Sequence, residues 1–187
     1  MRNSREIISL VLISLFFGFV ACNSNPKKTA TSASEDIEFK KTPSMQGEGV
    51  STLVTDSGLL TYRMEAPKLT INDKVDTPFW HMPEGLHMIT YSKDSEPEGD
   101  IKSKFALYYI DSDLWELRKE VVAISPEGMK LETELLYWDR KKKEIYTDQF
   151  VRITEEGSVT TGYGFKSDEE FVDWVIYEIS TEIDVEE

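Results

Sequence analysis

Cysteine is nearly absent: Cys22 is the only one in 187 residues. A lone cysteine excludes an internal disulfide framework and any paired-cysteine metal or redox site. Histidine is almost as scarce. His81 and His87 are the only two, neither has a second ligand at a metal spacing, and both read as structural or exposed side chains. No GxSxG elbow and no glycine-rich phosphate loop occurs. Acidic residues are so frequent that carboxylate pairs arise by chance and carry no glycosidase signal. Positive charge is the other shortage, with 21 Lys and Arg against 35 Asp and Glu and a formal charge of −14. That balance argues against nucleic-acid binding, which needs a basic footprint. It argues equally against holding an anionic head group by bulk electrostatics. Beyond the first residues there is no run with helical period.

What is present begins with a leader. Arg2 and Arg5 precede an apolar run over residues 7–21, too short for a membrane-spanning helix of about 20 residues and suited to a secretory signal. Phe19-Val20-Ala21-Cys22 resembles a bacterial lipobox, with Ala21 the small residue before cleavage and Cys22 the lipid-attachment site. Residues 1–21 are therefore expected to be a lipoprotein signal peptide. An uncleaved N-terminal anchor helix is the alternative; either places the domain outside the cytoplasm on a membrane tether. Loss of Arg2, Arg5 and Glu6 takes the formal charge from −14 to −15. Residues 22–44, rich in Asn, Ser, Thr, Ala, Pro and Lys, form an expected disordered tether.

From residue 45 to 187 one pattern dominates. Val50, Thr52 and Val54 alternate with polar residues, Asp56-Ser57-Gly58 reads as a hairpin turn, and Leu60, Tyr62, Met64 and Ala66 form the returning apolar face. Pro67 marks a break or an edge, with a separate short strand at Leu69 and Ile71. Residues 76–85 read as a proline-rich loop holding Phe79 and Trp80, and residues 92–100 as a polar loop. Leu86–Tyr91 is a strand, and residues 105–110 are apolar on both faces, as in a strand covered on both sides. Met129, Leu131, Thr133 and Leu135 alternate cleanly. Residues 141–143 read as a solvated lysine turn, and Ile145, Thr147, Val151 and Ile153 resume the pattern. Ser167 with Glu170 three residues on has the form of a helix start. In the last strand, Val175, Tyr177, Ile179, Thr181, Ile183 and Val185 share one face. Ile176, Glu178, Ser180, Glu182 and Asp184 share the other. Many short strands with turns every eight to twelve residues imply an all-β sandwich, barrel or open roll.

LETELLYWD, KKKEIYTDQFVRI and VTTGYGF, with DSGLLTYRMEAPKL and PEGLHMITY upstream, resemble the LptC family of lipopolysaccharide-export proteins. The resemblance spans residues 49–183. It implies a single open, twisted β-jellyroll with an apolar interior, acting as a passive, non-enzymatic conduit without a cofactor. Such a protein, tethered in the periplasm to the inner membrane, takes lipopolysaccharide from an inner-membrane ABC transporter and passes it to a periplasmic bridge protein of the same fold. Leu60, Tyr62, Met64, Leu86, Met88, Tyr108, Leu131 and Ile153, on apolar strand faces, are the expected lining of the acyl-chain path. Val175, Tyr177, Ile179 and Ile183 lie on the strand expected to dock the bridge protein. A closed β core with no lipid groove, serving as scaffold or carbohydrate-binding module, is the competing expectation.

Overall fold

Period-two alternation gives strands, and reversals fall where the chain supplies residues that tolerate φ > 0. In the computed structural model, which describes residues 43–184, eleven strands follow one another. They are β1 (Met45–Asp56), β2 (Leu59–Asn72), β3 (Phe79–Met82), β4 (Leu86–Tyr91), β5 (Pro97–Ser103), β6 (Phe105–Tyr109), β7 (Leu114–Ile124), β8 (Lys130–Asp139), β9 (Glu144–Glu155), β10 (Ser158–Asp168) and β11 (Trp174–Asp184). Every pairing is antiparallel, and the described residues are all-β, as a jellyroll-like fold requires. The β1–β2 hairpin turns through Ser57 and Gly58, both at positive φ, the backbone that matches strand twist in two-residue turns.

The sheet order is β11-β10-β9-β8-β7-β5-β4-β2-β3-β6, with β6 also pairing β7 and β1 lying on β2. Two long strands thereby serve twice. β2 pairs β4 through Tyr62–Glu65 and β3 through Thr70–Asn72. β7 pairs β6 through Leu114–Arg118 and β5 through Val122–Ile124. The short pairs β4–β5 and β3–β6 therefore span the same two strands at different levels. β11 ends the sheet on one side and β1 on the other.

Several local expectations are corrected. Pro67 does not break the strand: β2 continues through it, because Pro67 falls between the β4-paired and β3-paired segments, where no ladder donor is needed. Phe79 and Trp80 lie in β3, between the two prolines of the expected loop. Part of the expected polar loop is β5, in which Pro97 takes the first position. No helix opens at Ser167; β10 runs on to Asp168, whose carboxylate accepts the Val172 N–H at 2.9 Å in a tight turn. The alternation in β8 also slips. A register shift between Thr133 and Tyr137 leaves Leu135 half-buried and turns Leu136 inward. The two-sided burial of residues 105–110 appears in adjacent Ala106 and Leu107, both 0 % exposed. The lysine turn is a turn, with Asp139 accepting the Lys142 N–H at 3.0 Å.

Candidate functional site

Register brings the inward residues into rows across the strands. Met64 of β2 lies opposite Met88 of β4, Met88 opposite Ile101, Ile101 opposite Ala123, Ala123 opposite Leu131, and Leu131 opposite Ile153. All six are buried. This aliphatic rung crosses β2, β4, β5, β7, β8 and β9. With strands about 4.8 Å apart it extends about 24 Å.

A second row runs Ile71, Trp80, Tyr108, Trp115, Trp138 and Ile145, then through Ser167 to Trp174. Trp115 and Tyr108 stack at 4.7 Å, and Trp80 meets Tyr108 edge-on at 5.2 Å. Tyr62 ties the rungs together, standing edge-on to Trp115 and Trp138 at 6.3 and 6.1 Å.

The aromatic rung is anchored at its polar tips. The Tyr108 hydroxyl donates to Asp113 at 2.9 Å. Burial, then this bond to a carboxylate, pushes its pKa up to about 12, so it stays a donor throughout the physiological range. Arg140 pairs with the same Asp113 at 3.5 Å and lies over the rings of Tyr62 and Trp138 at 5.3 and 5.7 Å. The Trp138 indole N–H donates to Glu169 at 2.8 Å. The Trp115 indole N–H, by contrast, is fully buried and has no hydrogen-bond partner.

Of the residues expected along an acyl path, Tyr62, Met64, Leu86, Met88, Leu131 and Ile153 lie in one buried cluster. Tyr108 packs against that cluster from the aromatic rung, and Leu60 is half-buried. At its centre the side chains pack on one another. Sequence reasoning did not pick out Ile101, Trp115, Trp138, Phe165 or Phe171. Trp115, Trp138 and Phe165 lie on strands with other apolar residues; Ile101 stands between Gly99 and Ser103 on its face of β5, and Phe171 sits in an acidic turn and gives no periodic signal.

β11 ends the sheet, and its apolar face points outward. Val175, Tyr177 and Ile179 are 46, 65 and 62 % exposed, while Ile176 packs inward. Tyr177 lies over Gly164, which sits at φ +71°; a Cβ there would come within 2.9 Å of the ring. Phe150 and Tyr163, in edge contact at 5.4 Å, are exposed on the neighbouring strands.

The histidines stand apart from the interior. His87 bridges Asp100 at 2.6 Å and Glu65 at 3.8 Å on the outer face, and His81 packs beside Phe105. Burial pushes the Asp100 carboxyl up, but hydrogen bonds from Lys102 and His87 outweigh it and hold the pKa below the usual range. Among the described residues, no group of three or more His, Cys, Asp or Glu is placed to hold a metal ion. Nor is any helix among them long and apolar enough to cross a membrane. The leader, Cys22 and most of the tether lie outside the described residues.

An antiparallel β-roll whose inward faces join into continuous apolar rungs defines a jellyroll-like protein whose chemistry resides in buried hydrocarbon surface. The family model described as "Lipopolysaccharide-assembly, LptC-related" matches residues 7–171, and the chain belongs to that family. Membership gives it a part in lipopolysaccharide transport. No curated protein matches the chain closely enough to count as a relative.

Proposed function

We propose that this protein is the membrane-tethered periplasmic component that receives lipopolysaccharide from an inner-membrane ABC transporter. It passes the lipid along its interior to a bridge protein of the same fold. The observation that carries the reading is the aliphatic rung, an unbroken line of six buried apolar residues across six strands. Withdrawing a methylene from water gains about 0.8 kcal/mol, so a twelve-carbon chain gains on the order of 10 kcal/mol at most. A lipid carrying several such chains does not cross an aqueous compartment without an apolar path. An acidic surface directs recognition to those chains rather than to the anionic head group. The unpartnered Trp115 N–H fits the same ligand, since an ester or amide carbonyl at the root of an acyl chain would accept from it.

The tether and the docking edge complete the proposal. Cys22 is the acylated N-terminus of the mature protein, and several chains on it hold the protein on the membrane where one would be marginal. β11 offers its unpaired backbone edge to the bridge protein by strand addition, beside the exposed Val175, Tyr177 and Ile179. Ile183 extends the same strand. Ile179→Pro removes a donor and fixes φ; it is expected to abolish bridge binding in a domain that stays folded and still loads lipid.

The test of the reading is lipid extraction followed by mass spectrometry on the full-length protein purified from a lipopolysaccharide-producing host. Stoichiometric lipopolysaccharide is the expected result. A lipid-free protein that also takes up no added lipopolysaccharide would leave the scaffold reading in its place.

A further inference from the structure

Within the sheet, the strands on either side of β7 share no pairing of their own. β8 to β11 extend from one edge of β7, and β1 to β6 return to the other. What reaches across the remaining side is the five-residue connection between β10 and β11. Phe171 of that connection is 8 % exposed and belongs to the same buried cluster as Met64, Met88 and Ile101. Its ring stacks on Phe165 at 6.2 Å. Phe171 also forms part of the wall of two cavities. One, of about 500 Å³, has an apolar part of its wall made by Phe171, Ile101, Trp138 and Ile145, and a charged part that includes Asp113, Arg140 and Glu169. The second, of about 550 Å³, opens beside Met129 and Thr154. The ring is thus a plug with space at both flanks.

The connection is built to hold that plug and to let it go. Asp168 closes it into a compact turn, accepting the Val172 N–H on its carboxylate and the Phe171 N–H on its carbonyl. Phe171 sits at φ +59°, a backbone region unfavourable for a bulky side chain. A single hydrogen bond, Trp138 Nε1 to Glu169 Oε1 at 2.8 Å, ties the turn to β8.

We infer that residues 168–173 form a strap over the entrance to the interior, and that an acyl chain enters by displacing the Phe171 ring once the Trp138–Glu169 bond opens. The space between Phe171, Trp138, Ile101 and Ile145 is then the first binding site for a fatty acyl chain, ahead of the aliphatic rung. Phe171 walls this space off from the aliphatic rung until a chain displaces the ring. The inference rests on the lipid-carrying reading above, and it adds the place of entry and the residue that guards it.

The test compares full-length protein with its Glu169→Ala and Phe171→Ala variants, following the uptake of fluorescently labelled purified lipopolysaccharide over time. Glu169→Ala is expected to speed uptake about fivefold, the scale of one released hydrogen bond. Phe171→Ala is expected to speed it at least as much and to leave more lipid bound at equilibrium. Asp148→Ala, an exposed acidic residue that borders neither cavity, serves as control and is expected to match the parent protein. If the parent protein loads lipid and both variants load at the same rate and to the same extent, the strap is wrong while the lipid reading stands. If none of the proteins loads lipid, the reading itself fails and the strap with it. Glu169 contributes no side chain to the buried core, so its variant decides the matter even where Phe171→Ala is poorly folded.

Discussion

Strands β7, β8 and β9 each give one residue to the aliphatic rung and one to the aromatic rung, yet the two rows are built to different ends. Met64, Met88, Ile101, Ala123, Leu131 and Ile153 carry no hydrogen-bond donor in their side chains. Two of them are methionines, whose unbranched side chains adapt to irregular partners. In the aromatic rung, Tyr108 and Trp138 are held at their tips by Asp113 and Glu169, and Arg140 covers Tyr62 and Trp138. Polar anchors fix rotamers, and apolar packing alone leaves them free to adjust. On the proposed function, the aliphatic rung serves the moving lipid and the aromatic rung the wall behind it.

The largest expected effect lies in the wall. Trp138→Ala removes a buried indole, its bond to Glu169 and its contact with Arg140. Loss of about 3–5 kcal/mol is expected, within the range for deleting a large buried ring, read from urea unfolding midpoints. Met88→Leu in the aliphatic rung conserves volume and is expected to lose less than about 1.5 kcal/mol. Equal losses from the two substitutions would break the distinction.

A smaller effect isolates the anchor from the ring. Tyr108→Phe keeps the aromatic packing and deletes only the hydroxyl that donates to Asp113. About 0.5–1.5 kcal/mol is expected, with the Asp113–Arg140 pair retained. A loss as large as that of Trp138→Ala would mean that the tip, not the ring, holds the wall.

The smallest effect concerns the outer side of the strands that carry the aliphatic rung. The folded protein holds the Asp100 carboxyl below its ordinary value of 3.8. A depressed carboxyl contributes its stabilisation in full above the unfolded pKa and loses it as pH falls through the folded one. Stability is therefore expected to decline from Asp100 only below about pH 4. Asp100→Asn should flatten that acid limb in a pH series of thermal melts. An unchanged limb would remove Asp100 from the account.

Much of this contrast was legible in the residues themselves. Alternation at Tyr62, Met64, Met88, Leu131 and Ile153 identified inward faces correctly, since a half-buried strand demands period two. It did not reveal that Met64 to Ile153 form one line, because that depends on registers set between strands distant in sequence. Bulges were the other blind spot. The shift between Thr133 and Tyr137 exchanges Leu135 for Leu136, and Lys119 and Glu120 at positive φ interrupt β7. β3 was hidden by Pro78 and Pro83, which flank it without interrupting its ladder. Phe171 was hidden most completely, since nothing in an acidic turn signals that its ring reaches the core.

The central claim is that lipid travels on the inner faces of these strands. A photo-crosslinking residue placed in turn at Met64, Leu131, Arg63 and Lys130, in cells making lipopolysaccharide, tests it directly. Met64 and Leu131 point inward and are buried, whereas Arg63 and Lys130 are their half-exposed outward neighbours. The account predicts lipopolysaccharide adducts at Met64 and Leu131 and none at Arg63 and Lys130. Adducts of equal yield at all four positions, or at the outward pair alone, would contradict it.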